Sequence, residues 1–255
     1  LRILDGLDGP VLGEVPAISL HEDAPLYERP MAPPADLATR QEDTPEGHLP
    51  ESNDVSEDLL SLMQSQEWIT SQYDSQLFLN TVAGPGSNAA VLRLKHPVSG
   101  EDTGRGLAVT TDGNHRWCAV DPKIGTAMTV AESMLNLACV GAEPRALVNC
   151  LNFGNPENPN VMWQLSEAVD GMAEACSQFN IPVVGGNVSL YNESQGKNID
   201  PTPIVGLIGV INNLETPPPG VTWNEGDRLM VIGPPGKGLS GSAWAFAQNA
   251  RNGPV

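Results

Sequence analysis

Basic residues are scarce in this chain. Thirteen Lys and Arg face 31 Asp and Glu, for a net charge of −18 over 255 residues. No basic stripe exists to neutralise phosphates, so nucleic acid is not an expected partner, and an anionic membrane surface is disfavoured for the same reason. Aromatic residues are also sparse. The four cysteines (Cys118, Cys139, Cys150 and Cys176) form no C-x-x-C pair, which argues against zinc. Cys139 and Cys176 fall in apolar helical stretches, so the expectation is buried free thiols in a reducing cytoplasm. There is no signal peptide and no long apolar run, so secretion and membrane spanning have no support. No G-x-G-x-x-G follows a strand pattern and no G-x-x-x-x-G-K-S/T occurs, which excludes Rossmann and P-loop readings at the motif level.

What the chain does have is acidity in one place and loop formers throughout. Residues 31–70 hold nine acidic residues and one base, a local charge of −8, so much of the acidity reads as a solvated connector. The 26 Gly and 23 Pro predict many loops. RILD and the run 11–15 read as two short strands around LDGLDGP. After the connector, Ser56 with Glu57 and Asp58 reads as a helix start leading through LLSLMQSQEWITSQY. LFLNTV, AAVLRLK, GRGLAVTTDG and RWCAVDP read as strands. A helix is expected over 126–140, stopped by Gly141, and ALVNCLNFG reads as a buried strand. Residues 161–180 read as an amphipathic helix whose stripe is Met162, Leu165, Val169, Met172, Cys176 and Phe179. PVVGGNVSLYN and PIVGLIGVI complete the strands, a boundary is expected near ETPPPGVTW, DRLMVIG begins a new element, and GSAWAFAQNA has a helical pattern. This order is not a strict βαβ alternation. It predicts an α+β fold, with helices on one face of a mixed or antiparallel sheet.

The polar residues gather at the ends of these strands: Asp121, Asn149, Asn152, Asn155, Glu157, Asn187, Ser189 and Asn192. An Asn inside an apolar strand is costly unless its amide is bonded or ligated. Converging polar strand ends can hold Mg²⁺ and phosphate, and Gly185 with Gly186 would let a phosphate reach backbone N–H groups. The competing reading is a β-bulge or close packing at Gly-Gly, with the Asn side chains satisfying nearby turns. Physical chemistry alone modestly favours the second.

The run DPKIGTAMTVAESMLNLACVGAEPRALVNCLNFGNPENP, followed by GGNVSLYNE and PTPIVGLIGVI, closely resembles the phosphoribosylformylglycinamidine synthase (PurL) family. The resemblance extends over about residues 93–211. On its flanks, VLGEVPAISLHEDAPLYERP resembles the end of a preceding domain in the small bacterial form, and GLSGSAWA resembles the start of a last domain. The resemblance implies a PurM-like half-barrel domain packed with helices and flanked by pieces of α/β sandwich domains. It divides the chain into 1–30 (tail of a preceding domain), 31–76 (acidic linker with one helix), 77–215 (N-terminal-type domain of a second half) and 216–255 (start of its C-terminal-type partner). The chain then reads as a fragment of a longer polypeptide, inactive alone.

The implied activity is an ATP-dependent ligase, which converts a formamide into an amidine with glutamine-derived ammonia. The implied partners are a PurQ-type glutaminase, a PurS-type small subunit and the first half of its own chain, in the cytoplasm. The family's GGN-x-S pattern falls on Gly186 as an ATP contact, Asn187 as a magnesium ligand and Ser189 as a substrate contact. A nucleotide-contacting position, usually Asp, is Asn149 here, which keeps a hydrogen-bonding role but brings no charge. Asn136 stands where related domains carry a metal-binding Asp, and reads better as an amide at a domain interface. The family's catalytic His belongs to the first half, so no catalytic residue is expected here. His21, His48, His96 and His115 read as solvated loop or linker residues. A different reading is a non-catalytic nucleotide-binding or assembly module of the same fold, which the Asn at 149 would suit.

Overall fold

A computed structural model describes residues 1–43, 49, 51–215, 224–230, 232–233 and 238–255. The chain divides into two units, Leu1–Pro30 and Met31–Val255. In the first, β1 (Arg2–Leu4) and β2 (Val11–Glu14) pair antiparallel, and Arg2 Nε donates to Glu14 Oε1 at 2.8 Å.

The second unit opens with short helices. These are α1 (Leu37–Glu42), α2 (Val55–Leu62) and α3 (Glu67–Thr70). The expected single helix is thus two pieces, and its cap is Asp54, whose carboxylate accepts from the N–H groups of Ser56 and Glu57. His48, the Pro run of ETPPPGVTW and Val231 lie outside the described residues. The flanking described residues of DRLMVIG form no strand.

The body of the unit begins with β3 (Thr81–Ala83), β4 (Ala90–Lys95) and β5 (Asp102–Asp112). Leu77–Leu79, expected within the first of these strands, is a 3-10 turn instead. RWCAVDP is also not a strand. It lies in α4 (His115–Val120), where the Asn114 side chain accepts from Arg116 N, and it runs into α5 (Pro122–Cys139). Asp121 caps α5 by accepting from Ile124 N, and Pro122 occupies the first turn where no N–H is needed. That cap starts the helix four residues before the expected Thr126. Next come β6 (Glu143–Asn152), α6 (Pro159–Phe179), β7 (Val183–Ser189), a small hairpin of β8 (Glu193–Ser194) and β9 (Lys197–Asn198), then β10 (Thr202–Ile211) and α7 (Ala243–Ala247).

Six strands form one sheet in the order β3-β4-β5-β10-β6-β7. Every described pairing in it is antiparallel except β6 with β7. The C-terminal ends of β5, β6 and β7 therefore meet the N-terminal end of β10 at one end of the sheet. The sheet is two-faced by alternation. Val205 and Leu207 of β10, Ala108 of β5 and Leu147 of β6 are fully buried on the side that α5 and α6 cover. The other side carries Leu92, Leu107, Val109, Val148, Ile204, Ile208 and Val210, all half-buried or exposed. This is the expected α+β arrangement.

Helix α6 is rotated from its expected stripe. Val169 and Phe179 are exposed, and the buried positions are Val161, Ala168, Gly171, Met172, Ala175 and Cys176. Small residues win these places because the helices approach closely: a Cβ on Gly171 would collide with the Lys123 carbonyl at the start of α5. Cys139 corrects another expectation, since it is exposed on the last turn of α5, whereas Cys118 and Cys176 are buried. Burial pushes the Cys118 thiol up to about 12, so at pH 8 only about one molecule in ten thousand carries the thiolate. Timed labelling with a thiol reagent at pH 8 should therefore modify Cys139 first, and Cys118 and Cys176 only once denaturant is added. Equal labelling rates for Cys118 and Cys139 in the folded protein would contradict this packing.

Candidate functional site

The site is built on the parallel ladder of β6 and β7. Asn149 aligns with Gly186, Cys150 with Asn187, and Asn152 with Ser189. Aligned residues share a face of the sheet, and successive ones alternate. Leu147 and Leu151 are buried beneath the helices, so Asn149 between them also faces α6, where its Nδ2 donates to Met172 Sδ at 3.4 Å. Gly186 shares that face. Asn187 and Ser189 lie on the opposite, open face with Cys150 and Asn152. The four residues singled out from the sequence are therefore neighbours along one strand pair, divided two and two between its faces.

The Gly-Gly pair has a structural cause for one of its members. A Cβ on Gly186 would strike Asn149 Oδ1 and come within 2.8 Å of the Asn149 carbonyl oxygen. Gly185 is different: the nearest atom to its Cβ position is Val148 Cγ1 at 4.0 Å. The ladder shifts register between Leu147 and Val148, leaving Val184 without an aligned partner just before the glycines. A bulge and a close contact are thus both present. In addition β7 is the last strand of the sheet. Its outer row of backbone N–H and C=O groups has no neighbouring strand among the described residues.

Most of the other strand-end amides close the structure. Asn152 Nδ2 donates to Thr202 O at 3.1 Å, tying β6 to β10. Asn192 Nδ2 donates to Phe153 O at 3.1 Å and to Ser189 Oγ at 3.1 Å. Asn155 N donates to Asn198 Oδ1 at 2.8 Å. Tyr191, held at φ 61°, donates its hydroxyl to Glu157 Oε1 at 3.2 Å. Asn187 stands apart, being exposed and having no side-chain hydrogen bond among the described residues.

The sequence reading missed Asp112 at the end of β5. Its carboxylate accepts from Ser133 Oγ and, at 2.8 Å, from Asn136 Nδ2. Asn136 therefore serves contacts within its own domain. Ser133 and Asn136 are three apart on one helix face, a spacing that could have flagged a shared acceptor. Burial, and then the neighbouring Asp112 charge, push the Glu132 carboxyl above its usual range. His115 is not a free loop residue: it opens α4, with Nδ1 3.3 Å from Asp200 Oδ2 and its ring edge-on to Phe246 at 5.5 Å. His96 Nδ1 accepts from Val98 N and Ser99 N in a turn. No group of three or more His, Cys, Asp or Glu side chains suited to a metal occurs among the described residues. A cation here would take one neutral oxygen from Asn187 and the rest from a bound anion and water.

The contact of Asn149 with Gly186 makes a quantitative expectation. Gly186→Ala should destabilise the chain by about 1–3 kcal/mol through overpacking, and in Asn149→Ala the part of that cost due to the side-chain oxygen should vanish, the clash with the residue-149 carbonyl remaining. Denaturation of the two single variants and the double variant checks this, and strict additivity would contradict the contact.

Residues 86–211 match the family of AIR synthase related protein, N-terminal domain. The chain is 45% identical over 250 residues to the phosphoribosylformylglycinamidine synthase subunit PurL of Moorella thermoacetica, covering 96% of this chain and 33% of that protein. It is similar to the structure of PurLQS from Thermotoga maritima, with a TM-score of 0.59, 32% identity, and coverage of 80% of this chain and 30% of that one. T. maritima PurL complexed with ATP gives 0.58 at 30% identity, covering 80% of this chain and 30% of that one, and PurL complexed with FGAR gives 0.56 at 30%, covering 79% and 29%. The chain spans about a third of the length of the curated relative it matches. With these likenesses the resemblance seen in the motifs is borne out: the chain belongs to the PurL family, as a stretch about a third as long as its relatives, with a PurM-like, AIR synthase related domain at its centre.

Proposed function

We propose that this chain is the nucleotide-facing part of a phosphoribosylformylglycinamidine synthase. The reaction is ATP-dependent conversion of formylglycinamide ribonucleotide and glutamine-derived ammonia into formylglycinamidine ribonucleotide. The observation that carries this reading is the 45% identity to a PurL subunit over 96% of the chain. Related PurL proteins complexed with ATP and with FGAR support it.

The roles assigned to the site follow from its two faces. A nucleotide lying along the free edge of β7 would reach backbone groups at Gly185 and Gly186, which carry no side chains of their own. Asn149, fixed by Met172, would offer its amide from the helix side. On the open side, Asn187 would give one oxygen to magnesium on the phosphates and Ser189 would contact substrate. Magnesium, when bound, supplies charge neutralisation for phosphoryl transfer. The formamide oxygen would attack the γ-phosphate to give an iminophosphate, which ammonia then displaces. The residues that move protons in those steps would lie outside this chain, in the first half of the longer protein. The half-exposed apolar face of the sheet would meet that half, closing a barrel. A PurQ-type glutaminase and a PurS-type subunit would deliver ammonia, in keeping with a PurLQS assembly in T. maritima, and the setting would be cytoplasmic.

One observation favours the second reading, a non-catalytic nucleotide-binding module. The amide of Asn149 is engaged by Met172, a bond that a carboxylate could not donate. A single experiment separates the two. In the longer protein that contains this chain, Asn187→Ala should lower synthase activity at least about tenfold while changing stability by less than about 0.5 kcal/mol. Unchanged turnover in the variant would favour the binding module. A loss of activity matched by a loss of stability would return Asn187 to a packing role.

A further inference from the structure

At the same end of the sheet, a cavity of about 190 Å³ lies between α1, α4 and α7, and three arginines converge on it. The convergence is unexpected in a chain with 13 bases against 31 acids. Each guanidinium is anchored by a contact that leaves donors unused. Arg40 Nη1 donates to Ala119 O at 2.6 Å, and its Nε lies 3.2 Å from Asp36 Oδ2. Arg116 donates only through Nε, to Gly241 O at 3.2 Å, so both of its Nη groups lack a partner among the described residues. The guanidinium carbon of Arg251 lies 4.2 Å from the centre of the Phe246 ring, and Arg251 has no hydrogen bond among the described residues. Neither Arg116 nor Arg251 has a carboxylate within 4 Å among those residues. Among the described residues the one carboxylate lining the cavity is Asp200, and its Oδ2 is already turned to His115.

The geometry points to an anion site that takes the phosphoryl group of a small phosphorylated molecule, held by Arg40, Arg116 and Arg251. Guanidinium groups give short, charge-assisted bonds to phosphate oxygens, and three of them suit the several oxygens of a phosphoryl group better than the two of a carboxylate. The volume is below that of pockets for drug-sized ligands, so one small charged group fills it. Phe246, with the Arg251 guanidinium over its ring, that of Arg116 at 5.9 Å and the His115 ring at right angles to it, positions these groups before any ligand arrives. This site uses none of the residues Asn149, Gly186, Asn187 or Ser189, and it goes beyond the function proposed above.

Calorimetric titration of this chain with inorganic phosphate, against sodium chloride and sodium acetate at equal ionic strength, tests the assignment. The expected result is one phosphate per chain, no comparable binding of acetate, and about tenfold weaker binding in Arg116→Gln and in Arg251→Gln. Arg251→Lys should fall between. ADP should compete with phosphate if a nucleotide is the natural source, and fail to compete if a phosphorylated sugar or free phosphate is; either result agrees with the site. Thermal melts of each variant accompany the titrations. Because Arg251 makes no hydrogen bond among the described residues, its variants decide the matter even if Arg116→Gln fails to fold. No phosphate binding above chloride, equal binding of acetate, or unchanged affinity in Arg251→Gln would each overturn the proposal.

Discussion

Strand β7 lies parallel to β6, returned there by α6, and the register between them decides what the strand ends can do. It sets Asn149 over Gly186 on the helix side and Asn187 with Ser189 on the open side. A slip of one residue would exchange the faces and bury Asn187 beneath α6. Three things resist such a slip. Asn149 is fastened to Met172, its oxygen fits only above a glycine, and the bulge at Val184 absorbs the extra residue before the site begins. Close packing of α6 on α5 through Gly171 holds the crossover helix that makes the pairing possible.

The same end of the sheet is closed mainly by amides and hydroxyls, although the chain as a whole is strongly acidic. Asn152, Asn155, Asn192 and Asn198 satisfy loop carbonyls and N–H groups without adding charge. A phosphate approaching β7 thus avoids the repulsion that carboxylates in those places would impose. The arginine cavity extends this logic around the corner of the sheet, where Asp200 just precedes β10. Nine of the 31 acidic residues lie in the connector of residues 31–70.

Much of this was legible in the sequence. The amphipathic period of α6, the apolar run of β10 and the α+β order all led to the observed sheet. The errors have physical causes. Six residues are too few to show a helical period, so RWCAVDP read as a strand until Asn114 and Asp121 appeared as caps on either side. The buried stripe of α6 was misplaced because a close helix contact selects Gly and Ala over larger apolar residues. Asp112 was overlooked because its two donors lie 21 and 24 residues away and only the fold unites them. The sequence named Asn149, Gly186, Asn187 and Ser189, but not which face each would occupy. That parity depends on the β6–β7 register and on one bulge, and neither can be read from composition or spacing.

The central claim is that the free edge of β7 grips a nucleotide, with Asn187 turned to its metal. A structure of the longer protein containing this chain, determined with ATP and magnesium, tests it most directly. The account predicts the phosphates along Gly185 and Gly186, with the Asn187 oxygen at about 2.1 Å from magnesium. A nucleotide bound away from β7, with Asn187 still facing solvent, would contradict it.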